Sequence, residues 1–197
     1  MQIEINVPDG KLGDWEIDTF TISEHQAKEY NFGVIMYGTP EARIKEGTYK
    51  RLIHKEIGTV MSNTPMEVRD HRKFFHKAEE LGGDILINGL GLGMSLTKIL
   101  EYPNVNSVTV IEMSEEVIKM VAPHFKDDRV VVIQHDALTY MPPKGKRFSC
   151  VWHDIWPSKD SDNLPEMGTL HRKYGRRCDW QGSWGREWIK RDLRKNY

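Results

Sequence analysis

Three alternating glycines, Gly89, Gly91 and Gly93, follow the apolar run Asp84 to Asn88 and open onto an amphipathic stretch that reaches Leu100. An apolar strand, a glycine turn and a helix place backbone N–H groups where a ligand can approach closely. About twenty residues on, a second apolar run, VTVIEM, ends in the carboxylate of Glu112, which can accept both hydroxyls of a ribose. Two further runs end in acids: VVVIQHDAL presents His135 and Asp136, and FSCVWHDIWP presents His153, Asp154 and Trp156. A glycine turn and three carboxylates at four successive strand ends form one pocket edge. Such an edge holds a nucleoside-bearing cofactor by phosphate, amino-acid tail or ribose.

The turn does not have the dinucleotide spacing. A G-x-G-x-x-G/A pattern begun at Gly89 needs a small residue at 94, where Met94 stands; begun at Gly91 it needs one at 96, where Leu96 stands. That disfavours a nicotinamide cofactor. There is no convincing Cys/His zinc spacing and no serine or cysteine elbow.

The order INGLGLG, VIEM, QHDAL and VWHDIWP resembles the class I S-adenosylmethionine-dependent methyltransferases, particularly their spermidine-synthase-like branch, over about residues 48 to 157. The resemblance implies a Rossmann-like α/β fold with a mainly parallel sheet and S-adenosylmethionine as cofactor. It assigns Gly89, Gly91 and Gly93 to the methionine part, Glu112 to the ribose, and Asp136 with Ala137 to the adenine, with Asn88 and Met113 as further cofactor-binding residues. It makes Asp154 the catalytic candidate, orienting the acceptor or acting as general base, with Trp156 beside it as a substrate-binding residue. The implied reaction is methyl transfer to a small nitrogen or oxygen nucleophile. Aminopropyl transfer from decarboxylated S-adenosylmethionine is an alternative, although DIWPSK lacks the second acid that polyamine synthases carry there. A nucleic-acid methyltransferase and a non-catalytic nucleotide-binding module are the other readings.

The elements that position these residues follow from periodicity. Strands are expected near 84–88, 107–112, 130–135 and 148–154, with helices near 93–102 and 114–124, which favours a parallel sheet with ligand at its carboxyl edge. Upstream, apolar alternation at Ile3, Ile5 and Val7 and again at Trp15, Ile17 and Phe20 predicts a hairpin turning at residues 8–10. Ser23 and Glu24 can start a helix through Ile35, followed by a charged loop from Gly38 to about Gly47. Residues 48–63 read as two short strands. Thr64, Pro65 and Glu67 carry the signature of an N-cap, first-turn proline and capping box for one helix to about Glu80. Asp70 and His71 then fall on its solvated face. The division is a β-rich extension with one helix, 1–63, and a Rossmann-like part, 64–197. Only 43 residues follow Asp154. That predicts a shortened C-terminal part without the usual fifth strand, or a sheet completed by N-terminal strands.

Composition bounds the rest. The 197 residues are 39% hydrophobic and 29% charged with a formal charge of −1, enough for a substantial core and without general attraction to polyanions. Residues 171–197 are the exception, with nine Lys or Arg against three Asp or Glu and interleaved aromatics. Nucleic-acid stacking is one use of that segment. The other places Trp180, Trp184 and Trp188, four residues apart, on one packed helix face. Cys150 and Cys178 lack CxxC spacing, which points to reduced thiols and a cytoplasmic protein. No signal-peptide pattern and no long apolar run are present, so neither export nor a membrane partner is expected.

Overall fold

A computed structural model describes residues 2–36 and 43–195. Part of the charged loop expected after Gly38 lies outside the described residues.

The apolar run Gly83–Asn88 forms β5, and Ile85, Leu86 and Ile87 are all buried because both faces of the strand are covered. Around it stands a parallel sheet: β6 (Val105–Glu112), β7 (Val130–Gln134), β8 (Phe148–His153) and β9 (Cys178–Ser183), in the order β7-β6-β5-β8-β9. The chain leaves β5 for β6 on one side and later adds β8 on the other. The carboxyl ends of β5 and β8 therefore flank the point where strand order reverses, the crevice in which open α/β sheets bind ligands. This is the Rossmann-like arrangement expected from the sequence. It is also longer than expected: α6 (Leu164–Tyr174) buries Met167 and Leu170 and leads into β9, a fifth parallel strand. The remaining segment suffices because the connections from β8 through α6 to β9 are short.

The N-terminal strands do not complete that sheet. β1 (Gly10–Leu12), β2 (Trp15–Ile22), β3 (Gly47–His54) and β4 (Gly58–Ser62) form a separate antiparallel sheet. The hairpin turn lies at Gly13 and Asp14 rather than at residues 8–10. Asp9 instead accepts from the Thr19 N–H and hydroxyl and from Lys50, tying its segment to the sheet edge. Ile3, Ile5 and Val7 are buried without belonging to a strand, so their alternation reports packing, not a ladder. They share one core cluster with Ile17, Leu52, Phe74, Ile85 and Ile87.

α1 (Glu24–Met36) starts with a reciprocal capping box, since Ser23 Oγ accepts from Gln26 N and Gln26 Oε1 accepts from Ser23 N. The expected box at Thr64 and Glu67 is not made. The helix foreseen from 64 to 80 is two, α2 (Pro65–Asp70) and α3 (Arg72–Leu81), broken at His71. α4 (Met94–Leu100) and α5 (Glu115–Val121) cover the sheet near the glycine turn, with Ser114 Oγ capping α5. The tryptophan stripe is also divided: Trp180 lies in β9, Trp184 in the following turn and Trp188 in α7 (Arg186–Lys195). Among the described residues no helix is long and apolar enough to cross a membrane.

Candidate functional site

The carboxyl ends of β5, β6, β7 and β8 open into a cavity of about 450 Å³, roofed by Leu52 and Met61 of the antiparallel sheet and by Trp15. Its volume lies within the usual range for small-molecule sites, roughly 300–1,000 Å³. Gly89, Gly91, Glu112, Met113, Asp136, Ala137, Asp154 and Trp156 all line it. Asn88 and Gly93 do not. Asn88 is buried beneath the turn, where its Nδ2 donates to His153 Nδ1 at 2.7 Å, and Gly93 lies against the Phe125 ring. That bond puts the His153 proton on Nε2, which donates to Gln181. Burial pushes His153 down to about 3, so the ring is neutral and structural.

The glycine turn is held from both sides. Gly89 has φ of 98°, and a Cβ there would overlap the Asp154 carbonyl oxygen; at Gly91, φ 52°, a Cβ would fall 2.5 Å from Met61 Sδ. Close packing within the protein thus demands both glycines. Glu112 braces the same turn, accepting from Leu90 N at 2.8 Å and from Ser114 N at 2.9 Å. A carboxylate oxygen has two lone pairs, so each still has an acceptor site for a ligand hydroxyl. Asp136 accepts from Leu138 N and Thr139 Oγ1, while the Trp156 indole donates to Glu166 at 2.8 Å.

Two residues placed elsewhere by local sequence signals complete the site. His71 is fully buried, not solvated. Its Nδ1 faces the Glu67 carbonyl oxygen at 2.9 Å and its Nε2 meets Asp154 Oδ2 at 2.8 Å. A carbonyl can only accept, so Nδ1 carries a hydrogen. Burial alone would lower the His71 pKa, but Asp154, by charge and hydrogen bond, and Glu67 together raise it. Nδ1–H therefore donates to the Glu67 carbonyl, and the hydrogen bond between Nε2 and the Asp154 carboxyl favours the protonated ring. Glu67, one helical turn before His71, lines the cavity; burial pushes its carboxyl up to about 7, with Asp154 and Asp70 adding to the shift against His71. The sequence signal for this pair is the i, i+4 spacing of Glu67 and His71 on the element entering β5.

The cavity is uniformly acidic. Glu67, Glu112, Asp136, Asp154 and Glu166 line it, with His135 as its basic side chain and no Lys or Arg among the described residues. Trp15, Trp156 and Trp184 add aromatic wall. Such a lining favours a flat, cationic ligand and opposes a phosphate or pyrophosphate.

No protein-family model and no curated protein matches the chain. Solved structures match part of the chain at low identity. The N-methyltransferase NodS of Bradyrhizobium japonicum matches with 14% identity and a TM-score of 0.45, over 56% of this chain and 61% of that one. The 23S rRNA methyltransferase ErmE matches with 16% identity and a TM-score of 0.44, over 57% and 45%. An S-adenosylmethionine-dependent methyltransferase of Mesorhizobium loti matches with 18% identity and a TM-score of 0.40, over 53% and 48%. The match spans less than two thirds of each of these proteins.

Proposed function

We propose that the acidic cavity binds S-adenosylmethionine and transfers its methyl group to a small amine or hydroxyl acceptor. The observation that carries the proposal is the lining: five carboxylates without Lys or Arg, beside a glycine turn braced by Glu112. S-adenosylmethionine is a sulfonium with an ammonium tail and a flat purine, and these residues fit it. Glu112 would hold the ribose, Asp136 and Ala137 the adenine, and Gly89 and Gly91 the methionine part. Bound there, the cofactor supplies an electrophilic methyl carbon.

The chain's own groups do the rest. Asp154, fixed by its hydrogen bond to His71, orients the acceptor by accepting its N–H or O–H. Glu67, tuned to about 7, takes the proton the acceptor must lose and releases it to solvent before the next turnover. His71 positions Asp154. Trp156, held by Glu166, and Trp184 shield the reacting centre from water and offer aromatic faces to its positive charge.

The same acidity also favours decarboxylated S-adenosylmethionine, which lacks the negative carboxylate, and hence aminopropyl transfer. Competitive titration with the two sulfonium ligands separates the readings. Tighter binding of intact S-adenosylmethionine supports methyl transfer; tighter binding of the decarboxylated form replaces it with aminopropyl transfer. A thermal melt unmoved by either ligand would instead support a non-catalytic module.

A further inference from the structure

On the far side of the segment from Asp154 to Lys159 lies a second cavity of about 410 Å³ with the opposite charge. Arg69, Lys73, Lys159 and Arg186 line it against Asp70 and Glu187. Lys159 bonds Asp70 at 2.5 Å and lies 5.1 Å from the centre of the Trp184 ring, so these residues form the wall between the two cavities. Arg69, Lys73 and Arg186 make no salt bridge among the described residues. The Arg186 Nε is cut off from solvent and has no acceptor, a costly state for a charged donor. His171 adds no charge, since burial and the neighbouring Arg186 push it down to about 4. Trp188 also lines the cavity and is 45% exposed.

We infer that this basic cavity binds a nucleotide, its phosphate on Arg69, Lys73 and Arg186 and its base stacked on Trp188. Guanidinium groups present paired N–H donors to phosphate oxygens, and an exposed indole stacks on any base. A bare anion would use the cations but leave the indole without a role. The nucleotide can be free or part of a single strand. The site does not depend on the reaction in the acidic cavity, and binding rather than turnover tests it.

The experiment titrates the full chain at low salt with a fluorescein-labelled short oligouridylate and with uridine 5′-monophosphate, using poly-glutamate as a non-nucleotide polyanion. Saturable nucleotide binding is expected to weaken about tenfold in the Arg69→Gln/Arg186→Gln double variant. It should weaken about fivefold or more in Trp188→Ala, with an unchanged thermal melt showing that the variant is folded. Binding of the monophosphate alone at saturation identifies a free nucleotide as ligand; binding of the oligouridylate with a steep salt dependence identifies a strand. No binding of either probe, equal binding by Trp188→Ala, or poly-glutamate competing as well as the oligouridylate would overturn the proposal.

Discussion

His71 Nε2 lies 2.8 Å from Asp154 Oδ2, bridging 83 residues of sequence, with the His71 side chain fully buried and that of Asp154 only 7% exposed. The pair joins the break between α2 and α3 to the end of β8. Removing one partner leaves the other buried without its hydrogen bond. We expect His71→Leu to destabilise the protein by about 3–5 kcal/mol, and the double change His71→Leu/Asp154→Leu to cost less than the sum of the single ones. Urea unfolding of the four proteins measures this; additive losses would mean that the pair carries no coupling.

Glu67 is the group whose ionisation should govern turnover. With a carboxyl near 7 acting as base, the rate is expected to rise with pH through that value in the wild type. Glu67→Gln should lower kcat by roughly 10²–10⁴-fold and abolish that limb, while leaving the cofactor dissociation constant within a few-fold. A pH–rate profile that keeps its limb in the variant would assign it to another group.

Much of this site was legible in the sequence, and the missing part has a definite physical cause. The glycine turn, Glu112, Asp136 and Asp154 lie at the ends of strongly apolar strands, where periodicity alone places them at one edge. Glu67 and His71 carry local signals that mislead. Thr64-Pro65-Met66-Glu67 has the spacing of a capping box, yet the Glu67 side chain lines the cavity, and Ser23 with Gln26 makes the box instead. His71 reads as a polar helix position because nothing local reveals Asp154 behind it. The interval of four between Trp180 and Trp184 suits a helix face, but an even interval also suits a strand, and β9 extends to Ser183. Met61 over Gly91 depends on how the two sheets pack, which no local pattern encodes.

Gly91 tests that packing. An alanine there would be strained by its positive φ and would meet Met61 Sδ, so we expect Gly91→Ala to cost about 1–3 kcal/mol. Met61→Ala should recover the steric part in the double variant while the backbone part persists. Thermal melts of both proteins measure the recovery; none at all would show that strain in the turn accounts for the whole loss.

Two histidines with lowered proton affinity set the acid side of stability. His153 and His171 are pushed down, to about 3 and about 4, so as pH falls from about 6.5 the unfolded chain takes protons that the folded protein refuses. Stability should therefore drop through that window. Glu67, pushed up to about 7, acts oppositely, since the folded state protonates first as pH falls from about 7 toward 4.5. Below 4.5 its contribution is constant and the loss should steepen. His153→Gln is expected to flatten the decline, because each tenfold loss of proton affinity on folding is worth about 1.4 kcal/mol. Unfolding free energies measured from pH 7 to 4 decide this, and an unchanged slope in the variant would contradict it.

The most direct measurement is calorimetric titration of the protein with S-adenosylmethionine, run alongside a dinucleotide of opposite charge such as NAD, for wild type and Glu112→Ala. The expected result is saturable binding of S-adenosylmethionine, no displacement of it by NAD, and a loss of about tenfold or more on removing Glu112, in keeping with charge-assisted hydrogen bonds of about 1.5–3 kcal/mol. Absence of S-adenosylmethionine binding, or its displacement by NAD, would contradict an acidic cavity built for a sulfonium nucleoside.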